Sequence, residues 1–171
     1  AGMEYLINRA AHLTHSPFYV VTAHGQVAGY VRLQPFSWEP QACALSVEID
    51  VYLGRVWRHT GLGIHLGGLA ATLAQQIGYI NLVAWIMDAN PASCRLARAG
   101  TGVEWGRFPK LARSAGKLVD ISVFGTSVAT FFAGGWGRRI GQRQAVALRE
   151  YHAHLAATGA DARGAWEQTH D

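Results

Sequence analysis

The sequence predicts an α/β protein (an α+β mixed sheet), mostly antiparallel but with one parallel β-α-β unit. Three observations predict it. Strand-like runs at residues 18–23, 26–35 and 42–53 crowd the first third of the chain. One strongly periodic helix follows, with Leu62, Leu66, Leu69, Leu73 and Ile77 spaced by three and four. A continuous apolar run, Ile80 to Met87, comes directly after it and reads as a strand.

Taken in order, Glu4 to His15 reads as a short amphipathic helix, with Leu6, Ala10 and Leu13 on one face. Phe18–Ala23 and Gln26–Pro35 form a hairpin about the His24-Gly25 turn. Residues 35–40 form a loop, and Ala42 to Leu53 a long strand. The helix spans Gly61 to Ile77, with Gly78 as its stop. Strand 80–87 is expected to be central and buried on both faces. Asn90 caps a helix running to about Ala99. Two strands follow, near residues 103–108 and 117–124. Strand 42–53, helix 61–77 and strand 80–87 make a right-handed crossover with parallel strands. Beyond Gly125, residues 126–137 are apolar and glycine-rich, 141–157 look helical, and 159–171 look polar and flexible.

Composition limits the function classes. With 171 residues, half of them apolar and 15% charged, the chain is globular and long enough for one real core. The apolar stretches 66–74 and 128–136 are too short and glycine-rich to span a bilayer, and no basic region leads into an apolar leader. No membrane partner is expected, and the setting is cytoplasmic. A net charge of +4 permits an anionic ligand, but the six tryptophans are dispersed and carry no RNA-binding motif, so no nucleic acid is expected. Cys43 and Cys94 form no CxxC pair and read as reduced packing residues in strand-like and helix-like runs. The eight histidines are scattered, and no metal is assigned.

The stretch Val51-Tyr-Leu-Gly-Arg-Val-Trp-Arg58-His-Thr-Gly61-Leu-Gly63-Ile64 carries the chemistry. A strand feeds a basic loop with two glycines, and a helix begins at once. N–H groups at a helix start lack intrahelical partners, and the helix dipole favours negative charge there. Gly61 and Gly63 allow close backbone approach, and Arg58 adds charge, so a phosphate-bearing ligand is implied. Gly61, Gly63 and Gly67 miss the dinucleotide-binding spacing by one, and no GK[ST] is present.

Arg58-His-Thr-Gly61-Leu-Gly63 resembles the Arg/Gln-x-x-Gly-x-Gly/Ala signature of the GCN5-related N-acetyltransferases. Ser46-Val-Glu48-Ile-Asp-Val-Tyr52-Leu, Asn90-Pro-Ala-Ser93-Cys-Arg-Leu96 and Gly116-Lys-Leu-Val-Asp120 resemble, in order, the phosphinothricin-type members. The resemblance covers about residues 4–124. It implies the acetyltransferase fold and acetyl-CoA as donor. The pyrophosphate would lie on residues Arg58, His59, Thr60, Gly61, Leu62, Gly63 and Ile64. The pantetheine arm would pair with backbone groups of Val51, Tyr52 and Leu53, and contact Asn90 and Ser93. Glu48 matches the glutamate that accepts the amine proton, and a backbone N–H near Val51 would stabilise the oxyanion. Asp50 shares the face of Glu48 and could compete.

Three departures bear on activity. The family's opening strand and helix are expected to be missing, leaving residues 1–125 as an N-terminally incomplete acetyltransferase domain. A C-terminal extension (126–158) and a tail (159–171) follow. Ala97 stands where a Tyr or His commonly protonates the leaving thiolate, which lowers the expected rate. Gly100-Thr101-Gly102 replaces an aromatic that packs the preceding helix, so a looser helix end is expected. The expected activity is acetyl transfer to a small amino-acid-like amine of the phosphinothricin or methionine sulfoximine type. The alternative is a weak or inactive acyl-CoA-binding module. Such folds often form homodimers, and the apolar run 128–136 could supply an interface or, as a strand or helix, cover the sheet edge.

Overall fold

The computed structural model describes residues 4–7, 16–39 and 41–158. Seven strands form one sheet in the order β1-β2-β3-β4-β5-β7-β6. They are β1 (Glu4–Ile7), β2 (Phe18–Ala23), β3 (Gln26–Pro35), β4 (Ser46–Leu53), β5 (Asn81–Met87), β6 (Val103–Ser114) and β7 (Lys117–Ser127). All neighbours are antiparallel except β4 and β5, which are parallel and joined through α1 (Leu62–Ile77). The described residues also hold a 3-10 turn at Arg55–Trp57 and three further α-helices, α2 (Pro91–Ala99), α3 (Val128–Ala133) and α4 (Gly135–Thr158).

The helix expected from residue 4 is a strand at its start: Glu4–Ile7 pairs antiparallel with β2, Tyr5 opposite Val21. Aromatic and β-branched residues beside an open sheet edge outweigh a helical spacing of three apolar positions. Residues 8–15 lie outside the described residues, as does the expected tail at 159–171. Strand 42–53 begins only at Ser46. Residues 41–45 turn instead, with Cys43 N–H donating to the Glu39 carbonyl (2.9 Å) and Ser46 N–H to the Cys43 carbonyl (2.8 Å), so Cys43 sits in a turn. β6 and β7 run longer than expected. β5 is interior to the sheet, but burial on both faces fails: Trp85 and Met87 are 42% and 41% exposed.

α1 ends as its sequence dictates. Gly61 precedes it at φ +86° and Gly78 closes it at φ +101°, both left-handed conformations that only glycine adopts freely. Its buried Leu66, Leu69 and Leu73 join Val31, Leu33 and Val47 of the sheet in the main core. Burial of each such leucine contributes about 2 kcal/mol. α4 lies close against α1. A Cβ on Gly68 would run into Ile140 Cγ2, so the glycine sets the distance between the helices. Leu148 is fully buried in the same core.

Val128 and Phe131 belong to that core too, with Phe132 and Trp136 packed against it. The run 128–136 therefore covers the protein's own core. The end of α2 also differs from expectation. Gly100, Thr101 and Gly102 N–H groups donate to the carbonyls of Leu96, Arg98 and Ala97 at 3.0, 3.1 and 2.9 Å. Thr101 Oγ1 lies 3.0 Å from Thr126 Oγ1, and the Phe131 ring comes up beside Gly100. Backbone bonds and an aromatic from α3 hold the helix end firmly.

Candidate active site at the fork between β4 and β5

β4 and β5 share only three rungs: Ser46 opposite Asn81, Val47 opposite Leu82 and Glu48 opposite Val83. Beyond Glu48 the strands part. Val51, Tyr52 and Leu53 thus lie past the end of the pairing, with backbone groups on the β5 side released from the ladder. A cavity of about 310 Å³ opens beside the fork, lined by Arg32, Gln34, Ser37, Glu48, Ile49, Asp50 and Trp85.

Glu48 is 8% exposed and accepts three hydrogen bonds. Gln34 Nε2 donates to Oε2 at 2.9 Å, while Ser37 N–H and Ser37 Oγ donate to Oε1 at 3.1 and 2.9 Å. A carboxylate offers about four lone-pair sites. Three are engaged, which fixes its orientation and leaves one free on a residue that lines the cavity. Both donors follow from local structure. Gln34 stands opposite Glu48 in the β3–β4 register, and Ser37 sits in the loop directly after β3.

Asp50 lies on the same face, two residues further along β4. Arg32 pairs with its Oδ2 at 3.2 Å, and the Tyr30 hydroxyl donates to the same oxygen at 3.2 Å. Burial first, then the Asp50 carboxylate, push the Tyr30 hydroxyl above the usual tyrosine range. Phe18, Tyr30 and Tyr52 stack in a row across three strands, with centroids 5.2 and 5.6 Å apart. The possible rival of Glu48 is thus tied into a pair with Arg32.

The loop 58–61 holds two left-handed residues, His59 (φ +63°) and Gly61. Thr60 Oγ1 donates to the Trp57 carbonyl at 2.7 Å and receives Leu62 N–H at 3.4 Å, which shapes the turn into α1. Nothing lies within 4 Å of a Cβ built on Gly61, so the helix start is open to an incoming anion. Over Gly63, Leu96 and Leu53 side chains stand at 3.4 and 3.5 Å. Ile64 N–H reaches the Gly61 carbonyl at 3.1 Å. Arg58 is exposed, but its Nε donates to the Leu53 carbonyl at 3.2 Å. It folds back along β4, where a ligand arm pairing with Leu53 would have to displace it.

Across the fork, Asn90 caps α2: its side chain accepts Ser93 N–H at 3.2 Å. Both residues follow β5, opposite the loop that follows β4. Ala97 packs against Ile86, Cys94 and Phe124 and presents no proton donor. Among the described residues, no group of three or more potential ligands gathers for a metal ion. None of their helices is long and apolar enough to cross a membrane.

The sequence singled out Glu48 but not Gln34, Ser37, Arg32 or Trp85. The signal for two of them was present. Tyr30, Arg32 and Gln34 alternate with the apolar Val31 and Leu33, which puts the three on one face of β3.

Comparison with known proteins agrees with this fold. The acetyltransferase (GNAT) family profile matches residues 2–102. The chain is 29% identical over 121 residues to the "Putative phosphinothricin acetyltransferase YwnH" of Bacillus subtilis (strain 168), covering 70% of this chain and 74% of that one. A solved "putative phosphinothricin N-acetyltransferase" is 30% identical, with TM-score 0.61, covering 66% and 72% of the two chains. The yncA structure from Salmonella typhimurium, solved "with its cofactor Acetyl-CoA", is 25% identical, with TM-score 0.63, covering 70% and 68%.

Proposed function

Because this chain belongs to the acetyltransferase (GNAT) family and is an N-acetyltransferase, we propose that it moves the acetyl group of acetyl-CoA to the amine of a small amino-acid-like acceptor, of the phosphinothricin or methionine sulfoximine type. The fork carries this reading. One strand end with free backbone groups, one open helix start and one fixed carboxylate meet there. The open start of α1 suits a pyrophosphate, and β4 past Glu48 suits an extended arm. Arg58, His59, Thr60, Gly61, Leu62, Gly63 and Ile64 hold the first; Val51, Tyr52 and Leu53 hold the second. Asn90 and Ser93 flank it from α2.

In the reaction the amine nitrogen attacks the thioester carbonyl. A C–N bond forms, the C–S bond breaks, and the amine loses one proton. Glu48 receives that proton, directly or through one water, at the lone-pair site its neighbours leave open. A backbone N–H near Val51 stabilises the oxyanion. The coenzyme thiolate leaves without a side-chain acid at Ala97 and takes its proton from solvent.

The test is free-thiol release from acetyl-CoA with a panel of amines, using the wild type and Glu48→Gln. Loss of about 10²-fold or more in kcat with unchanged coenzyme Kd is the expected result. Equal loss of both removes the base assignment. Tight coenzyme binding with no release for any amine gives the non-catalytic acyl-CoA-binding module.

A further inference from the structure

We propose that Arg32 is the acceptor-recognition residue, and that it selects an amino acid bearing one carboxylate and no second negative charge. This rests on the acetyl-transfer reading above and narrows its substrate.

Arg32 is the only cation among the described residues lining the cavity; the ionised groups beside it are Glu48 and Asp50. Its side chain is 45% exposed, and Asp50 holds it at 3.2 Å through one terminal nitrogen. A guanidinium has five N–H donors, so others remain for a ligand. Asp50 follows Glu48 by two residues on one face of β4, which separates the guanidinium site from the base by about 7 Å. An α-amino acid bridges that span: its carboxylate meets Arg32, and its nitrogen faces Glu48 or the water on it. Asp50 keeps the long arginine side chain in place before the ligand arrives.

The other lining groups decide what the acceptor's side chain can be. Among the described lining residues a second anionic group would find no second cation, and would face Asp50 and Glu48 instead. An uncharged side chain finds Trp85, which is exposed at the cavity and tilted against Phe108 with centroids 5.5 Å apart. Of the two acceptor types, the geometry favours methionine sulfoximine, with one carboxylate, over phosphinothricin, with a carboxylate and a phosphinate.

The experiment compares methionine sulfoximine, phosphinothricin and the decarboxylated counterpart of methionine sulfoximine, each with the wild type, Arg32→Gln and Arg32→Lys. The wild type should favour methionine sulfoximine over phosphinothricin by at least about tenfold in kcat/KM. Arg32→Gln should raise the KM for methionine sulfoximine by about ten- to a hundredfold, the loss of one charge-assisted contact. Its kcat should change only a few-fold, and Arg32→Lys should restore part of the affinity. The effect should be confined to acceptors with a carboxylate. An equal KM rise with the decarboxylated amine, or a wild-type preference for phosphinothricin, overturns the proposal while leaving acetyl transfer intact. No thiol release with any amine fails the acetyl-transfer reading itself.

Discussion

Gln34 stands directly across β3 and β4 from Glu48 and donates its side-chain Nε2 to the carboxylate Oε2 at 2.9 Å. The aim of the carboxylate proposed as the base is therefore set from the neighbouring strand and the loop after it, not from its own strand. Gln34→Leu keeps the volume but removes the donor. It should lower kcat by about tenfold, the equivalent of one hydrogen bond to a charged group, and leave coenzyme affinity unchanged. Steady-state kinetics with calorimetric coenzyme titration checks this; an unaltered kcat would show that Ser37 alone suffices.

Gly61 and Gly29 separate two roles of glycine. Gly61→Ala meets no atom within 4 Å, so the strain is in its left-handed backbone alone. The cost is about 1–2 kcal/mol. Coenzyme Kd should rise several-fold while cooperative unfolding persists. Gly29→Ala drives a Cβ into the Tyr52 carbonyl. It should destabilise the β3–β4 pair itself, seen as a lower Tm with or without ligand.

The seat of α4 on α1 is set by one contact. Gly68→Ala gains up to about 1 kcal/mol in helix propensity, but overpacking against Ile140 costs about 1–3 kcal/mol. The net effect should be destabilising. Ile140→Ala alone should cost about 2–5 kcal/mol, and the double variant less than the sum. Urea unfolding of the three variants measures the coupling; strict additivity would contradict the contact.

Burial, with a lesser contribution from Tyr151, pushes the Tyr19 hydroxyl up to about 12 from an ordinary value of 10.0. The folded state thus favours the neutral phenol. Its stabilising contribution is complete below pH 10 and is lost as the pH rises toward about 12. Thermal unfolding across that range should show a falling Tm, and Tyr19→Phe should flatten part of the fall. An identical slope in the variant would remove Tyr19 as its source.

The legible part of the sequence was the part with strong local punctuation. The α1 period, its bracketing glycines, the His24-Gly25 hairpin and the Asn90 cap each carry their own backbone signal, and each stands where the residues place it. The misreadings were tertiary. Nothing local in Glu4–Ile7 announces an edge to pair with. Trp85 looked like core because its neighbours are apolar, whereas its face of β5 opens on the cavity. The motif singles out Glu48, and the structure seats its carboxylate against the cavity. The donors that aim it were not readable there, because they depend on the β3–β4 register.

The three rungs between β4 and β5 are a seam. On one side stand β1 to β4, with Glu48, Arg32 and the glycine loop; on the other stand β5, β7 and β6, with Trp85 and the Asn90 cap. Each plate holds part of the chemistry, and below the fork they are stitched by few bonds. An extended donor laid in the fork, as proposed, would become a further stitch. On the proposed reading, occupancy and cohesion of the sheet would rise together: the donor would serve, for the length of one turnover, as a piece of the architecture.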